Sequence, residues 1–247
     1  MMRTANPALN EQVFEAIPYY DASARAMTLQ GAVNRTAILL TLAVGAASWT
    51  WHVASTGGNF APYLLGGLIG GLILGFITIF KKTAAPITAP LYAIAEGLLL
   101  GGISAAFEQQ FPGIVFQAIF LTFGVLAAML IAYTSRLIRP TENFKLGVVA
   151  ATGGICLFYL VALILTFFGV SIPLLHQSGP WGIALSVFIV IIAALNLVLD
   201  FDFIEQGVAV GAPKYMEWYA AFGLLVTLVW LYLEILRLLA KLQSRRG

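Results

Sequence analysis

Seven long apolar runs leave this chain few ways to fold. They cover approximately Thr36–Ala54, Ala61–Phe80, Ala84–Phe107, Gly113–Ser135, Leu146–Val170, Trp181–Leu199 and Trp218–Leu236. A helix rises about 1.5 Å per residue, so each run can cross about 30 Å of hydrocarbon. Backbone amides facing lipid must be satisfied within their own segment, and the alternating pattern of a barrel strand is absent, so each run is predicted to be a transmembrane helix. Composition agrees. Of 247 residues, 60% are hydrophobic and only 10% charged, whereas a soluble domain needs roughly a quarter of its residues charged. The expected fold is an all-α integral membrane protein of seven transmembrane helices.

The breaks carry turn residues: Thr56-Gly57-Gly58-Asn59, Lys81-Lys82, Glu108 to Pro112, Arg139-Pro140 and Gln177-Ser178-Gly179-Pro180. Only Lys81, Lys82 and Thr83 separate the second and third runs, which predicts a tight helical hairpin. The first 30 or so residues do not read as a cleavable secretory signal, because Glu11, Glu15 and Asp21 interrupt them. A helical turn is expected around Glu11–Ile17. Residues 1–32 then form a cytoplasmic N-terminal segment, 33–240 the seven-helix transmembrane domain and 241–247 a short basic tail.

Lys and Arg placement orients the chain. With the N-terminus in the cytoplasm, Arg3, Arg25, Arg35, Lys81, Lys82, Arg136, Arg139, Lys145 and Lys214 all lie inside, and the three external loops carry none. The last four of the 13 basic residues, Arg237, Lys241, Arg245 and Arg246, fall outside if the last run spans. Seven spans is the favoured reading. A re-entrant last run that returns the C-terminus to the cytoplasm is the alternative.

Glycines recur at four-residue spacing, as Gly66/Gly70, Gly67/Gly71, Gly71/Gly75 and Gly97/Gly101. Such pairs let backbones approach where hydrophobicity offers no drive. Packing within one bundle is their ordinary use, and a homo-oligomer interface is the other. Trp51, Trp181, Trp218 and Tyr215 lie near span ends, as interfacial aromatic rings do. His52 and His176 fall near the external face without a second His or Cys at ligand spacing, so they read as interfacial residues rather than zinc ligands. Cys156 is the single cysteine, which excludes an intrachain disulfide. A net charge of +2 and the lack of a basic-aromatic surface argue against nucleic acid. No nucleophile and base stand out as a pair, so an enzyme is not expected, nor is a tightly bound cofactor.

The acids are the informative residues, since a carboxylate in a span is costly and faces a bundle interior or a wet cavity. Glu96 has roughly eleven mostly apolar residues on each side, about 16 Å of helix either way. Asp200 and Asp202 close the sixth run. Asp200 reads as a helix end about one turn from the cytoplasmic interface, where an acid opposes the helix dipole. Water, Lys214 or a basic residue of another helix would offset it. Glu234 lies in the last run with Arg237 at i+3, which a local ion pair would explain. Oxygen-only groups facing a bundle suit a hard cation or protons rather than a soft metal. A pair of carboxylates in a half-dry site can share a proton and act as a pH-sensitive latch.

Several segments resemble the Bax inhibitor-1, or transmembrane Bax inhibitor motif, family. Leu199-Asp200-Phe201-Asp202-Phe203-Ile204 is similar to the acidic motif closing that family's sixth helix, and Leu224–Arg237 to its last helix. Asn6-Pro-Ala-Leu-Asn10, Ala95-Glu96-Gly97-Leu98 and Gly211-Ala-Pro-Lys-Tyr-Met-Glu-Trp218 resemble its bacterial branch. The resemblance covers nearly the whole chain. It implies a last helix at the centre of the bundle and a pH-sensitive calcium leak gated by two aspartates, one on each of the last two helices. Asp200 is the better match to the first, with Asp202 competing for that place. Leu231-Tyr232-Leu233-Glu234 matches the second with Glu for Asp, so a latch built for two aspartates need not close the same way.

The leading expectation is therefore a calcium leak channel of the bacterial inner membrane. Asp200 and Glu234 would be its gate and the oxygen ligands met by calcium as the permeant ion. The resemblance also implies association with a membrane-anchored protease. That supports the alternative, a regulator that transports nothing and binds such a partner. A proton-coupled transporter would show discontinuous helices in two similar halves, for which Pro86 and Pro90 are slender evidence.

Overall fold

The computed structural model describes residues 26–169 and 179–245. The expected turn at Glu11–Ile17, the Asn6–Asn10 segment and His176 lie outside the described residues. Among those described are seven helices long and apolar enough to cross a membrane: α1 (Leu29–Ser55), α2 (Ala61–Phe80), α3 (Ala85–Gln110), α4 (Ile114–Thr134), α5 (Glu142–Phe167), α6 (Pro180–Ala209) and α7 (Met216–Ser244). No strand occurs among them; Ala26 and Pro213 form an isolated antiparallel bridge. Large apolar side chains stand outward, among them Phe76, Phe120, Leu157 and Phe167. Together with the span lengths, they define an integral membrane protein.

Local chemistry sets the helix ends. Thr28 caps α1, its Oγ1 accepting from Gly31 N at 2.9 Å, and Thr141 caps α5 by accepting from Phe144 N at 3.3 Å. Prolines occupy the first turns of α2 and α3, where a missing N–H costs nothing. Pro90 lies inside α3, which nevertheless runs unbroken to Gln110. No discontinuous helix arises there. A single 3-10 turn, Lys82–Ala84, joins α2 to α3, and Thr78 Oγ1 donates to Thr88 Oγ1 at 2.7 Å across the expected hairpin.

Three helices outrun their apolar segments by about two turns or more. The α1 helix begins at Leu29, α6 continues ten residues past Leu199, and α7 extends to Ser244. The backbone ladder needs no apolar side chains to continue, so hydropathy locates the membrane rather than the helix end. The last run is one continuous helix of 29 residues, about 43 Å long. A re-entrant segment would need a break that α7 lacks. It is also the most buried of the seven, with 56% of its most apolar window buried against 17% for α2.

The described residues divide into two compact units. The first comprises residues 26–112 and 202–226. In it α3 packs closely on both α1 and α2. A Cβ on Gly97 would lie 2.2 Å from Ala43 O of α1, and one on Gly67 would lie 2.5 Å from Ala95 O of α3. Those glycines are contact surfaces rather than loose joints. Gly66, by contrast, has nothing within 4 Å of the equivalent position. The second unit comprises residues 113–201 and 227–245. Ile155, Ile189 and Ile192 form its buried apolar cluster, against which Trp230, Tyr159 and Leu185 pack.

Candidate functional site

In the second unit, α7 carries Glu234 into a dense set of donors. Glu234 Oε1 accepts from Tyr159 Oη at 2.9 Å, Trp230 Nε1 at 3.3 Å and Arg237 Nη1 at 3.0 Å. Its Oε2 accepts from the same Arg237 nitrogen at 3.0 Å. Arg237 also donates to Tyr159 Oη and lies 5.2 Å from the centre of that ring. The helical period explains the cluster: Trp230 is one turn before Glu234 and Arg237 almost one turn after, so all three share a face. The carboxylate is 2% exposed, whereas the guanidinium side chain is 38% exposed. The i+3 ion pair read from sequence is present, and Tyr159 of α5 completes it.

One further turn along α7, buried Lys241 donates to Gly182 O at 3.0 Å and Ser186 Oγ at 2.9 Å. These contacts set the register of α6 against α7. Lys241 sits opposite the start of α6, and Trp230 packs on the cluster formed by Ile155, Ile189 and Ile192. Moving from Trp230 to Glu234 therefore leads towards Ser186. Asp200 lies the other way, eight residues beyond Ile192, about 12 Å along the axis. The antiparallel register thus offsets Asp200 from Glu234 along the helix axes, which a motif match cannot reveal.

Asp200 itself is 1% exposed. Because α6 continues to Ala209, it is no helix end: more than two turns of helix follow it. The expectation of a solvated terminus opposing the dipole is overturned. One turn before it, buried Asn196 donates to Thr152 Oγ1 and to Ile192 O, both at 2.8 Å, and Tyr133 of α4 packs on Phe201. Asp202 is half-buried and takes a hydrogen bond from Gln206, one turn on. Two residues turn a helix through about 200°, so only one of the two aspartates can point fully inward, and it is Asp200.

Lys214 is exposed in the turn between α6 and α7. The buried carboxylate near it is Glu217, 1% exposed, in the first turn of α7. Glu217 Oε1 accepts from Thr28 N at 3.1 Å and Thr28 Oγ1 at 3.0 Å, at the N-terminus of α1. Arg35 Nε lies 3.8 Å from Oε2, and its guanidinium lies 4.6 Å from the centre of the Trp218 ring. Met27 N donates to Ala212 O at 2.6 Å beside this pair. Glu217 thus sits at two helix N-termini at once, where partial positive charge favours an anion. Sequence reading passed it over, since it precedes the apolar run. The available signal was Thr28 with Gly31, a cap followed by a residue without a Cβ.

Glu96, in the middle of α3, accepts one hydrogen bond, from Tyr92 Oη at 2.8 Å. His52 and Cys156 are exposed. Among the described residues no group of three or more His, Cys, Asp or Glu is placed to hold a metal.

These features define a polytopic helical membrane protein with carboxylates buried inside its spans. The sequence profile described as Bax inhibitor 1 like matches residues 6–244, and the chain belongs to that family. No curated protein and no solved structure matches it.

Proposed function

We propose that this protein is a pH-sensitive calcium leak pathway of a bacterial inner membrane, with its N-terminus in the cytoplasm. The observation that carries the reading is Asp200: a carboxylate 1% exposed, well inside a spanning helix. Such a group serves protons or a hard cation. Glu234 has a different part. Arg237, Tyr159 and Trp230 occupy both its oxygens, which makes it a fixed, neutralised anchor between α5 and α7 rather than the moving half of a latch. Asp200 is then the switch. Neutral, it allows the helices around it to stay packed. Ionised, it draws water between the packed helices, and calcium follows. The leak rises with pH.

The side chains at the end of α7 support the orientation. Arg237 is neutralised by Glu234, and Lys241 is drawn inward onto Gly182 and Ser186. Two of the four basic residues that opposed an external C-terminus are therefore spent inside the fold. Calcium entry into liposomes holding the purified protein tests the proposal. Wild type should leak more as pH rises, and Asp200→Asn should abolish that dependence. Wild type that passes no calcium at any pH would sink it.

A further inference from the structure

Glu96 takes no part in that reading, although it lies in the middle of a spanning helix. Eleven residues of α3 precede it and fourteen follow, so about 16 Å of helix separates it from the nearer end. Its Oε1 has Tyr92 as its one donor, while Oε2 is buried and has no hydrogen-bond partner among the described residues. Its neighbours cannot supply a countercharge. The α2 face against it is Gly71, whose Cβ position would lie 3.7 Å from the carboxyl carbon, and α2 carries no Asp, Glu, Lys, Arg or His along its whole length. The α1 helix packs on Gly97 and Gly101 and has no ionisable residue between Arg35 and His52. From α7, the group near Tyr92 is the ring of Phe222, with centroids 4.8 Å apart. Tyr219 lies beyond Phe222, and its own buried hydroxyl has no hydrogen-bond partner among the described residues.

An ionised carboxylate with one hydroxyl donor, no cation and a glycine wall is the arrangement that low-dielectric surroundings penalise most. Binding a proton removes the charge without moving any helix. We infer that Glu96 is a proton-binding site at the seam between α2 and α3, occupied while the two helices are packed. Losing that proton would place a charge against Gly71, and hydrating it would require α2 to part from α3. The site would therefore couple a proton to this seam, whether or not the protein passes calcium.

A lipid-soluble carbodiimide probes this directly, because it reacts with carboxylic acids held neutral in apolar surroundings. The acid proton moves to one carbodiimide nitrogen, and the carboxylate oxygen bonds to the central carbon. The resulting O-acylisourea rearranges to a stable N-acylurea, so reagent and protein add without a leaving group. Dicyclohexylcarbodiimide would be added to the full-length protein in liposomes across a pH series, with adduct mapped by peptide mass spectrometry. The α3 peptide should carry the adduct at Glu96. Its yield should fall by about tenfold per pH unit once the acid ionises, while Glu234, tied to Arg237, stays unmodified. Glu96→Gln should abolish the adduct on that peptide, and should the variant not fold, the wild-type map decides alone. A denatured sample shows that the peptide reacts and is detected. No adduct at Glu96 in the folded protein, an adduct indifferent to pH, or equal modification of Glu234 would each overturn the inference.

Discussion

Glu234 in the second unit and Glu96 in the first are the same residue type on the same kind of helix, yet they are solvated in opposite ways. Glu234 has three donor side chains, one of them a guanidinium. Glu96 has a single tyrosine hydroxyl and a glycine wall. Depth in the membrane does not decide what a carboxylate does; the neighbouring donors do. Donors from α5 and α7 fix Glu234 as an anchor, whereas the small residues that let α2 and α3 approach also strip Glu96 of partners. Glu217 shows a third solution, with two helix N-termini and Arg35 gathered around one buried acid.

The largest test of the contrast is to remove the cation. Arg237→Met leaves Glu234 buried without its countercharge, and breaking a buried pair from one side costs about 3 to 5 kcal/mol. The exposed guanidinium edge places this case near the lower figure. Adding Glu234→Gln to Arg237→Met should recover much of the loss, since no buried charge then remains. Thermal unfolding in detergent, read as a double-mutant cycle, measures both. If the single and double variants are equally unstable, Glu234 is not held by its ion pair.

Next in size is Gly31→Ala in the first unit. The new Cβ would lie 1.9 Å from Glu217 Oε1, which forces the carboxylate off Thr28 at a cost of about 1 to 3 kcal/mol. Gly66→Ala meets no neighbour within 4 Å and should change stability by less than about 0.5 kcal/mol. Equal losses for the two would show that the glycines act through backbone flexibility rather than through the space they leave.

The seven spans and the α2–α3 hairpin were legible in the sequence, because hydropathy and punctuation are local properties. So was the Glu234–Arg237 pair, because i+3 spacing puts both side chains on one helix face. The offset of Asp200 from Glu234 was not legible. It depends on how α6 slides against α7, and Lys241 settles that by seating on Gly182 and Ser186. Glu217 escaped notice for a related reason: its partners lie 189 residues away at Thr28, and it stands outside the apolar run. Hydropathy also placed the end of α6 at Leu199, ten residues early. That error made Asp200 look like a surface residue.

The smallest expected effect is the most discriminating. Glu96→Gln keeps the shape and hydrogen-bonding capacity of a neutral carboxylic acid. If Glu96 is held protonated, the substitution changes little below the pH at which a free carboxyl ionises, about 4, and stability there should stay within about 0.5 kcal/mol of wild type. As pH rises above that value the two should diverge, because the unfolded wild type ionises more readily than the folded. Wild type then has to ionise a group beside Gly71 or unfold to solvate it, whereas the amide has nothing to lose. Glu234→Gln should instead lose stability through its ion pair, because Arg237 is left without its countercharge. Unfolding temperatures of the two variants across one pH series set the units side by side. Parallel curves would mean that both carboxylates are held in the same way, despite the different donors around them.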